Sequence, residues 1–396
     1  MLNLVVLTKG LLKMYVENNS VQSRILINTS NLHGGGGLQV AVSFIYELSE
    51  IVVDKKINID IDVIASSAVF EGLASLGTNI SVFSRFSVLN EFGLRAFFSK
   101  FNQRVKDYEL VFTVFGPNYF RVSCEKELVG FAQPWILCFN NPISIKLPFL
   151  KINLLRLKYY FQWLFFLRAD HYVVELEHVK KGLIKNKGVD EKKISVVYNT
   201  VSSLYLDESK WKSICIEKGD EEISLGIVTR DYPHKNIGIL PAVAQTLESK
   251  HNLKVHFYTT LNEREWSVRG ELFKRYVSTV GSLLPDQCPS FYEQIDGVVF
   301  PSLLECFSAT PLEAMVMAKP LFASDRGFVR DVCADHATYF DPLDPEDIAL
   351  KIVNYFKADI ERTESLQKAR NHALNFSSAR GRAEQYLEII QQHLKG

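Results

Sequence analysis

Residues 297–325 read GVVFPSLLECFSATPLEAMVMAKPLFASD. Two apolar runs, 298–300 and 321–323, flank a helix-like segment at 312–317, which predicts a strand, helix, strand unit. The helix start is marked three times over. Thr310 suits the cap, Pro311 the first helical position, and Glu313, three residues after Thr310, completes a capping box. The loop ahead of it ends at a helix N-terminus, where free N–H groups favour an anion.

Glu305 stands in that loop, just past the strand's carboxyl end, and Glu313 follows in the first helical turn. In open α/β sheets ligands bind outside the carboxyl ends of the strands, and a carboxylate accepts hydrogen bonds from two hydroxyls at once. A sugar and a ribose fit that description. Each acid also has a plain structural account: a capping box alone explains Glu313, and a solvated loop charge explains Glu305.

The run PSLLECFSATPLEA resembles the Glu-x7-Glu signature of retaining glycosyltransferases of GT-B architecture, most closely glycosyltransferase family 4 (group 1), whose usual form is near PS-x-x-E-G-F-G-x-P-x-L-E-A. Cys306 and Ser308 stand where glycines are usual, and Thr310 before the proline is this chain's own. The resemblance implies two Rossmann-like α/β domains facing a cleft, with a last helix crossing back to the first domain. It implies that Glu305 lies against a donor sugar and Glu313 holds the nucleotide ribose. Cys306, Phe307, Ser308, Ala309 and Thr310 would line the sugar and phosphates. Retention of configuration and independence of any metal or other cofactor come with it.

Two packed cores need a chain of about this size, 396 residues with 47% hydrophobic and 12% aromatic content. Forty-five basic and forty-five acidic residues cancel. The global charge therefore indicates no nucleic-acid or acidic partner. Six scattered cysteines show no metal-ligand spacing and suit a reducing cytoplasm. The division expected is 1–22 as an unassigned extension, 23–205 as the acceptor domain, 206–375 as the donor domain and 376–396 as the returning helix. Residues 1–22 are apolar but too short to span a bilayer, with Met14 as an alternative start, and no other stretch looks long enough.

In the first half, RILINTS, INIDIDVIAS, YELVFTVFGPN, ELVGFAQPWIL and ISVVYNTV read as strands. The glycine run that includes Gly35, Gly36 and Gly37 opens a helix and would let a phosphate or sugar approach the backbone; a flexible turn is the equal alternative. Asn118 and Gln133 fall at strand ends, Gln133 where relatives often carry His. Asp60 and Asp62 form an Asp-x-Asp pair that strand alternation explains without a metal.

Residues 146–168, KLPFLKINLLRLKYYFQWLFFLR, interleave Lys146, Lys151, Arg156, Lys158 and Arg168 with leucines and aromatics. Two readings stand evenly: a helix contacting an anionic membrane surface, or a domain helix whose apolar face packs inward. The first would suit a lipid-linked acceptor at the inner face of the cytoplasmic membrane.

The second half opens with EISLGIVTRDYPHKN, which carries Arg230 and Lys235 five apart. Loop cations are usually just solvated, but this pair matches the family's Arg-x4-Lys element, which implies neutralisation of a diphosphate leaving group. Gly281 and Ser282 follow a strand where the family's nucleotide base lies. The resemblance covers residues 222–345 best. It implies sugar transfer from a nucleoside-diphosphate sugar to a glycan or lipid-linked acceptor in bacterial surface polysaccharide synthesis. A nucleotide-sugar epimerase, a sugar phosphorylase and a non-catalytic sugar-nucleotide-binding protein are the alternatives.

Overall fold

The computed structural model describes residues 23–394 except 56, 58, 104–107, 122–123, 146, 220–221 and 359–360. The readings of residues 1–22 and of Lys146 lie outside the described residues. Two compact units emerge: one of residues up to 130 with 165–171 and 386–396, the other of 131–164 and 172–385.

The first sheet holds β1 (Arg24–Thr29), β2 (Asp60–Ala65), β3 (Arg85–Val88), β4 (Tyr108–Thr113), β5 (Cys124–Gly130), β6 (His171–Val174) and β7 (Ile194–Val196). Their order is β3-β2-β1-β4-β5-β6-β7. The second sheet holds β8 (Ile223–Ile227), β9 (Val255–Thr259), β10 (Val277–Thr279), β11 (Gly297–Phe300), β12 (Leu321–Ser324) and β13 (Thr338–Phe340), in the order β10-β9-β8-β11-β12-β13. All its pairs are parallel. Parallel strands are covered by helices on both faces, which is why GVVF and LFAS are buried at every position. Both sheets are the doubly wound α/β arrangement expected, with the reversal of strand order that leaves a crevice at the carboxyl ends.

β3 has no counterpart in the sequence reading. It is a four-residue edge strand, exposed or half-buried throughout, so burial imposes no apolar run on it. The Asp-x-Asp pair is structural: Asp62 takes a 2.8 Å ion pair from Arg24 and a hydroxyl bond from Tyr108, and Asp60 accepts from Ser84 at 3.0 Å. Contrary to the reading that no stretch could span a bilayer, the helix Gly35–Lys55 is long and apolar enough by length and composition alone. Its apolarity has another use, because Phe44, Ile45, Leu48 and Ile51 are buried. Phe44 meets Tyr386 of the last helix, Ala379–Leu394, edge-on at 5.1 Å, and Phe112 meets the same ring at 5.4 Å.

The same helix carries Arg382, which is 2% exposed and bonds the Asn199 side chain; Asn199 in turn donates to Glu175 at 2.9 Å. Burial pushes the Glu175 carboxyl up to about 7 against the pull of Arg382 and Asn199, and burial does the same to Glu127 beside Arg168. A carboxyl raised in the folded state stabilises below its unfolded value and loses that contribution as pH climbs through the folded one. Stability should therefore fall between about pH 4.5 and 7, by roughly 1–3 kcal/mol per group. Urea titrations of Glu175→Gln across this range should give a visibly flatter profile than the parent; an unchanged slope would place the titration elsewhere.

Gly130, the last residue of β5, has no room for a side chain, since an added Cβ would sit 1.5 Å from the Val114 carbonyl oxygen. Gly130→Ala should cost about 3 kcal/mol or more in urea unfolding, a backbone clash that cannot relax by side-chain rotation. Gly34, with open space around it, should accept alanine with a change within about 0.5 kcal/mol.

Candidate functional site

Two loops meet at the carboxyl ends of adjacent strands β8 and β11, which pair Leu225 with Gly297 and Gly226 with Val298. Gly226 sits so close to Phe291 and Ile295 that a Cβ would come within 2.6 Å of a neighbour. The loop after β8 makes one 3-10 turn, Pro233–Lys235, and then bends at Asn236, whose φ of 55° a short polar side chain tolerates. Asn236 also donates to the Pro342 carbonyl at 2.7 Å, and Leu303 N–H donates to the His234 carbonyl at 2.7 Å. Lys235 is thereby aimed at the loop after β11.

Lys235 Nζ donates to both Glu305 oxygens, at 2.9 and 2.8 Å. The side chains are only 14% and 10% exposed, so this is no solvated loop cation. Phe300 lies beneath the ammonium, with its ring centroid 5.6 Å away. His234 stacks on Tyr232 at 5.4 Å, and burial lowers its pKa, which suits a neutral ring shaping the loop. Arg230 donates to Ser282 at 2.9 Å and to Glu265 at 3.2 Å. The structure thus brings Arg230 and Ser282 together, and Lys235 and Glu305 together. Gly281, at φ 80°, bends the chain just ahead of Ser282.

Glu265 was not found in the sequence. It takes Arg230, the Asp231 N–H and the Asn262 N–H, and its capping box with Asn262 is the one local signal that could have drawn attention to it.

The helix after β11 runs Ala309–Val316, not 312–317, and its cap is Ser308 rather than Thr310. Thr310, the second residue of the helix, is buried and donates to the Val228 carbonyl at 3.3 Å, and Pro311 follows it in the first turn. The expected capping box is therefore absent: the chain turns helical two residues early because Thr310 finds its partner on the loop after β8. Ser308 makes no side-chain cap bond, so the first turn keeps backbone N–H groups turned outward, with Ala309 exposed and Phe307 half-buried beside it. Cys306 is buried, and burial pushes its thiol well up, which makes it an inert filler where a glycine was the usual residue.

Glu313 accepts from the Tyr292 hydroxyl at 2.8 Å and also from Tyr205. Burial raises its pKa and the two tyrosine bonds pull it back. Neither tyrosine was identified in the sequence. Tyr205 stands at the expected boundary between the two domains, in a stretch that packs firmly: Tyr205 meets Tyr292 at 6.0 Å, and the Trp211 ring donates to the Leu204 carbonyl at 2.7 Å.

Of the expected acceptor residues, Gly35 and Gly36 lie exposed at the start of the helix Gly35–Lys55, with open space where side chains would be. Gln133 precedes the short helix Pro134–Leu137 and is half-buried. Gly37 is half-buried under Leu32, and Asn118 is fully buried, accepting from Phe120 N–H at 3.1 Å. Among the described residues no group of three His, Cys, Asp or Glu side chains is placed to hold a metal ion.

Residues 222–358, which contain Arg230, Lys235, Glu265, Ser282, Glu305 and Glu313, match the family model for glycosyl transferases group 1. A curated relative, the O-antigen chain mannosyltransferase RfbU of Salmonella typhimurium, is 28% identical over 193 residues, 47% of this chain and 52% of that protein. The chain thus spans about half the length of the curated relative it matches. Among solved structures, a glycosyltransferase from Rickettsia africae superposes with a TM-score of 0.64 at 16% identity, covering 95% of this chain and all of that one. Anabaena HepE in complex with UDP and glucose gives 0.61 at 15% identity, over 93% and 99% of the two chains. At such identities the likeness is one of fold, the GT-B pair of Rossmann-like domains.

A nearly buried ion pair makes a stability prediction. Lys235→Ala strands the Glu305 carboxylate and should cost about 2–4 kcal/mol, more than a loop cation would. Adding Glu305→Gln should recover part of that loss. A urea-monitored double-mutant cycle reads the coupling, and additive losses would mean the pair is not formed in solution.

Proposed function

We propose that this chain is a group 1 glycosyltransferase that moves a sugar from a nucleoside-diphosphate donor to a glycan or lipid-linked acceptor, with retention and without a metal. The observation that carries the reading is the Lys235–Glu305 pair, which joins the loop that also carries Arg230 to the loop that leads into a helix without a side-chain cap. A diphosphate joined to a polyhydroxylated ring calls for such cations, a helix N-terminus and a carboxylate.

In this reading the bond from the anomeric carbon to the diphosphate breaks with its electron pair leaving on phosphate, the acceptor oxygen takes that carbon, and the acceptor hydroxyl passes its proton to the departing phosphate oxygen. Arg230 and Lys235 stabilise the charge that builds on the leaving group, each contributing about 3 kcal/mol when well placed. Glu305 turns from Lys235 to the donor's hydroxyls, and Lys235 turns to phosphate. Glu313, fixed by Tyr292 and Tyr205, holds the ribose. Gly281 and Ser282 flank the base, and Gly35, Gly36, Gly37, Asn118 and Gln133 belong to the acceptor side. The O-antigen assignment of the Salmonella relative supports a place in bacterial surface polysaccharide assembly. The enzyme would then work at the cytoplasmic face, touching the anionic membrane through residues 146–168.

Thermal unfolding with UDP, GDP, ADP, CMP and their sugar conjugates tests the donor site. One nucleoside diphosphate at a hundred times its Kd should add about 2.7 kcal/mol of stability. Arg230→Ala should weaken that shift and lower kcat about a hundredfold or more with the matching donor. Stabilisation by none of these, or by all alike, would overturn the reading.

A further inference from the structure

From Leu128 to Ala169 the chain contains no Asp or Glu, while Lys146, Lys151, Arg156, Lys158 and Arg168 all fall in that interval. Its centre is the helix Phe149–Phe166, in which Phe166 alone is buried. Leu150, Leu154, Leu157, Phe161 and Leu164, stepping by four and three, form one outward stripe with exposures from 74% down to 39%. Lys151 and Lys158 stand exposed alongside. A domain helix packing its apolar stripe inward would show the reverse.

On its other side the helix borders a cavity of about 360 Å³ lined by Trp135, Phe139, Arg156, Tyr159, Trp163 and Lys187. Trp135 and Tyr159 stack face to face, 5.9 Å apart and 6° from parallel. The Arg156 guanidinium lies 5.3 Å from the Phe139 ring, and Lys187 Nζ lies 5.3 Å from that of Trp163. Among the described residues no carboxylate pairs with Arg156 or Lys187. Two cations held over aromatic rings, Arg156 from the acid-free stretch and Lys187 from the end of the helix Glu177–Lys187, make a seat for one anionic group with apolar matter beside it. Tyr160, which also lines the cavity, is 59% exposed and reaches the outer surface next to the stripe.

We propose that this cavity seats the phosphate headgroup of an anionic membrane phospholipid while the stripe from Leu150 to Leu164 enters the bilayer interface. The proposal rests on the membrane contact put forward above and gives it a specific headgroup site. Basic residues flanking a leucine and aromatic face complement an anionic surface, and a helix of this kind lies in the interface plane with its long cations reaching the phosphates. Arg156 and Lys187 would grip the phosphate, and Trp135, Tyr159 and Trp163 the first carbons of the lipid.

The experiment compares the full chain with Arg156→Gln/Lys187→Gln and with Leu157→Ser/Phe161→Ser, none of which touches the donor site. A retained thermal shift with the nucleotide identified above certifies the fold of each variant. Flotation with phosphatidylcholine vesicles, alone or mixed with phosphatidylglycerol, reads membrane binding. Tryptophan fluorescence with soluble dihexanoyl phosphatidylglycerol or inorganic phosphate reads the cavity, since Trp135 and Trp163 line it.

The parent chain should float at least about tenfold more tightly on the anionic vesicles. The cavity variant should lose about tenfold and its response to the short-chain lipid. The stripe variant should keep that response yet fail to float. A cavity variant that behaves like the parent overturns the headgroup site and leaves the membrane contact standing. An equal response to inorganic phosphate reduces the site to one for free phosphate, and loss of self-association in the stripe variant assigns the stripe to a second copy of the chain; either overturns the proposal. No flotation by the parent sinks the membrane contact and the proposal with it, while a nucleotide shift keeps the transferase reading intact.

Discussion

The bond from Lys235 to both oxygens of Glu305 is the constraint around which the second sheet's crevice is arranged. Its partners are 70 residues apart in the chain and come together only because β8 and β11 are neighbours with matching register. A nearly buried pair of this kind stabilises little by itself, since desolvating two charges offsets most of their attraction. Its consequence is positional. The His234 carbonyl bound by Leu303 N–H, and Asn236 tied to Pro342, fix the loop so that ammonium and carboxylate are held at the carboxyl ends of the two central strands.

Around that pair the site is rigid by redundancy. Arg230 is held by Glu265 on one side and Ser282 on the other, so its guanidinium is oriented before any ligand arrives. Glu313 is oriented by Tyr292 and Tyr205, which draws the segment 203–206 into the site's support. The two acids of one motif therefore meet different environments: Glu305 faces a cation, and Glu313 lies under phenol hydroxyls where burial raises its pKa. Pre-orientation of this sort is the means by which an enzyme site avoids reorganising during reaction.

The first unit follows a separate logic. Its core is closed by aromatic contacts of high sequence separation, with Phe44, Phe112 and Tyr386 meeting in one cluster. In the second unit, which takes residues 131–164, the helix Phe149–Phe166 departs from the economy of the rest, because its outward face is as apolar as its inward one. Composition alone could not separate those two faces.

The sequence by itself determined the kind of fold and most of the strands, because a parallel sheet covered on both sides demands continuous apolar runs that punctuating loops make visible. It also placed Arg230, Lys235 and Glu305 in the loops past strand ends and Glu313 in the helix that follows, because those positions follow from counting along one strand, its loop and the next helix. The edge strand β3 escaped since nothing buries it. The helix start at Ala309, the role of Thr310, the Glu265 clamp and the tyrosines on Glu313 were decided only by the tertiary structure. Each depends on a partner 21 to 108 residues away, the bonds being Tyr292 to Glu313, Arg230 to Glu265, Thr310 to Val228 and Tyr205 to Glu313. A local pattern carries local preference, whereas a side chain such as Thr310 abandons its cap when a buried carbonyl on another loop comes within reach.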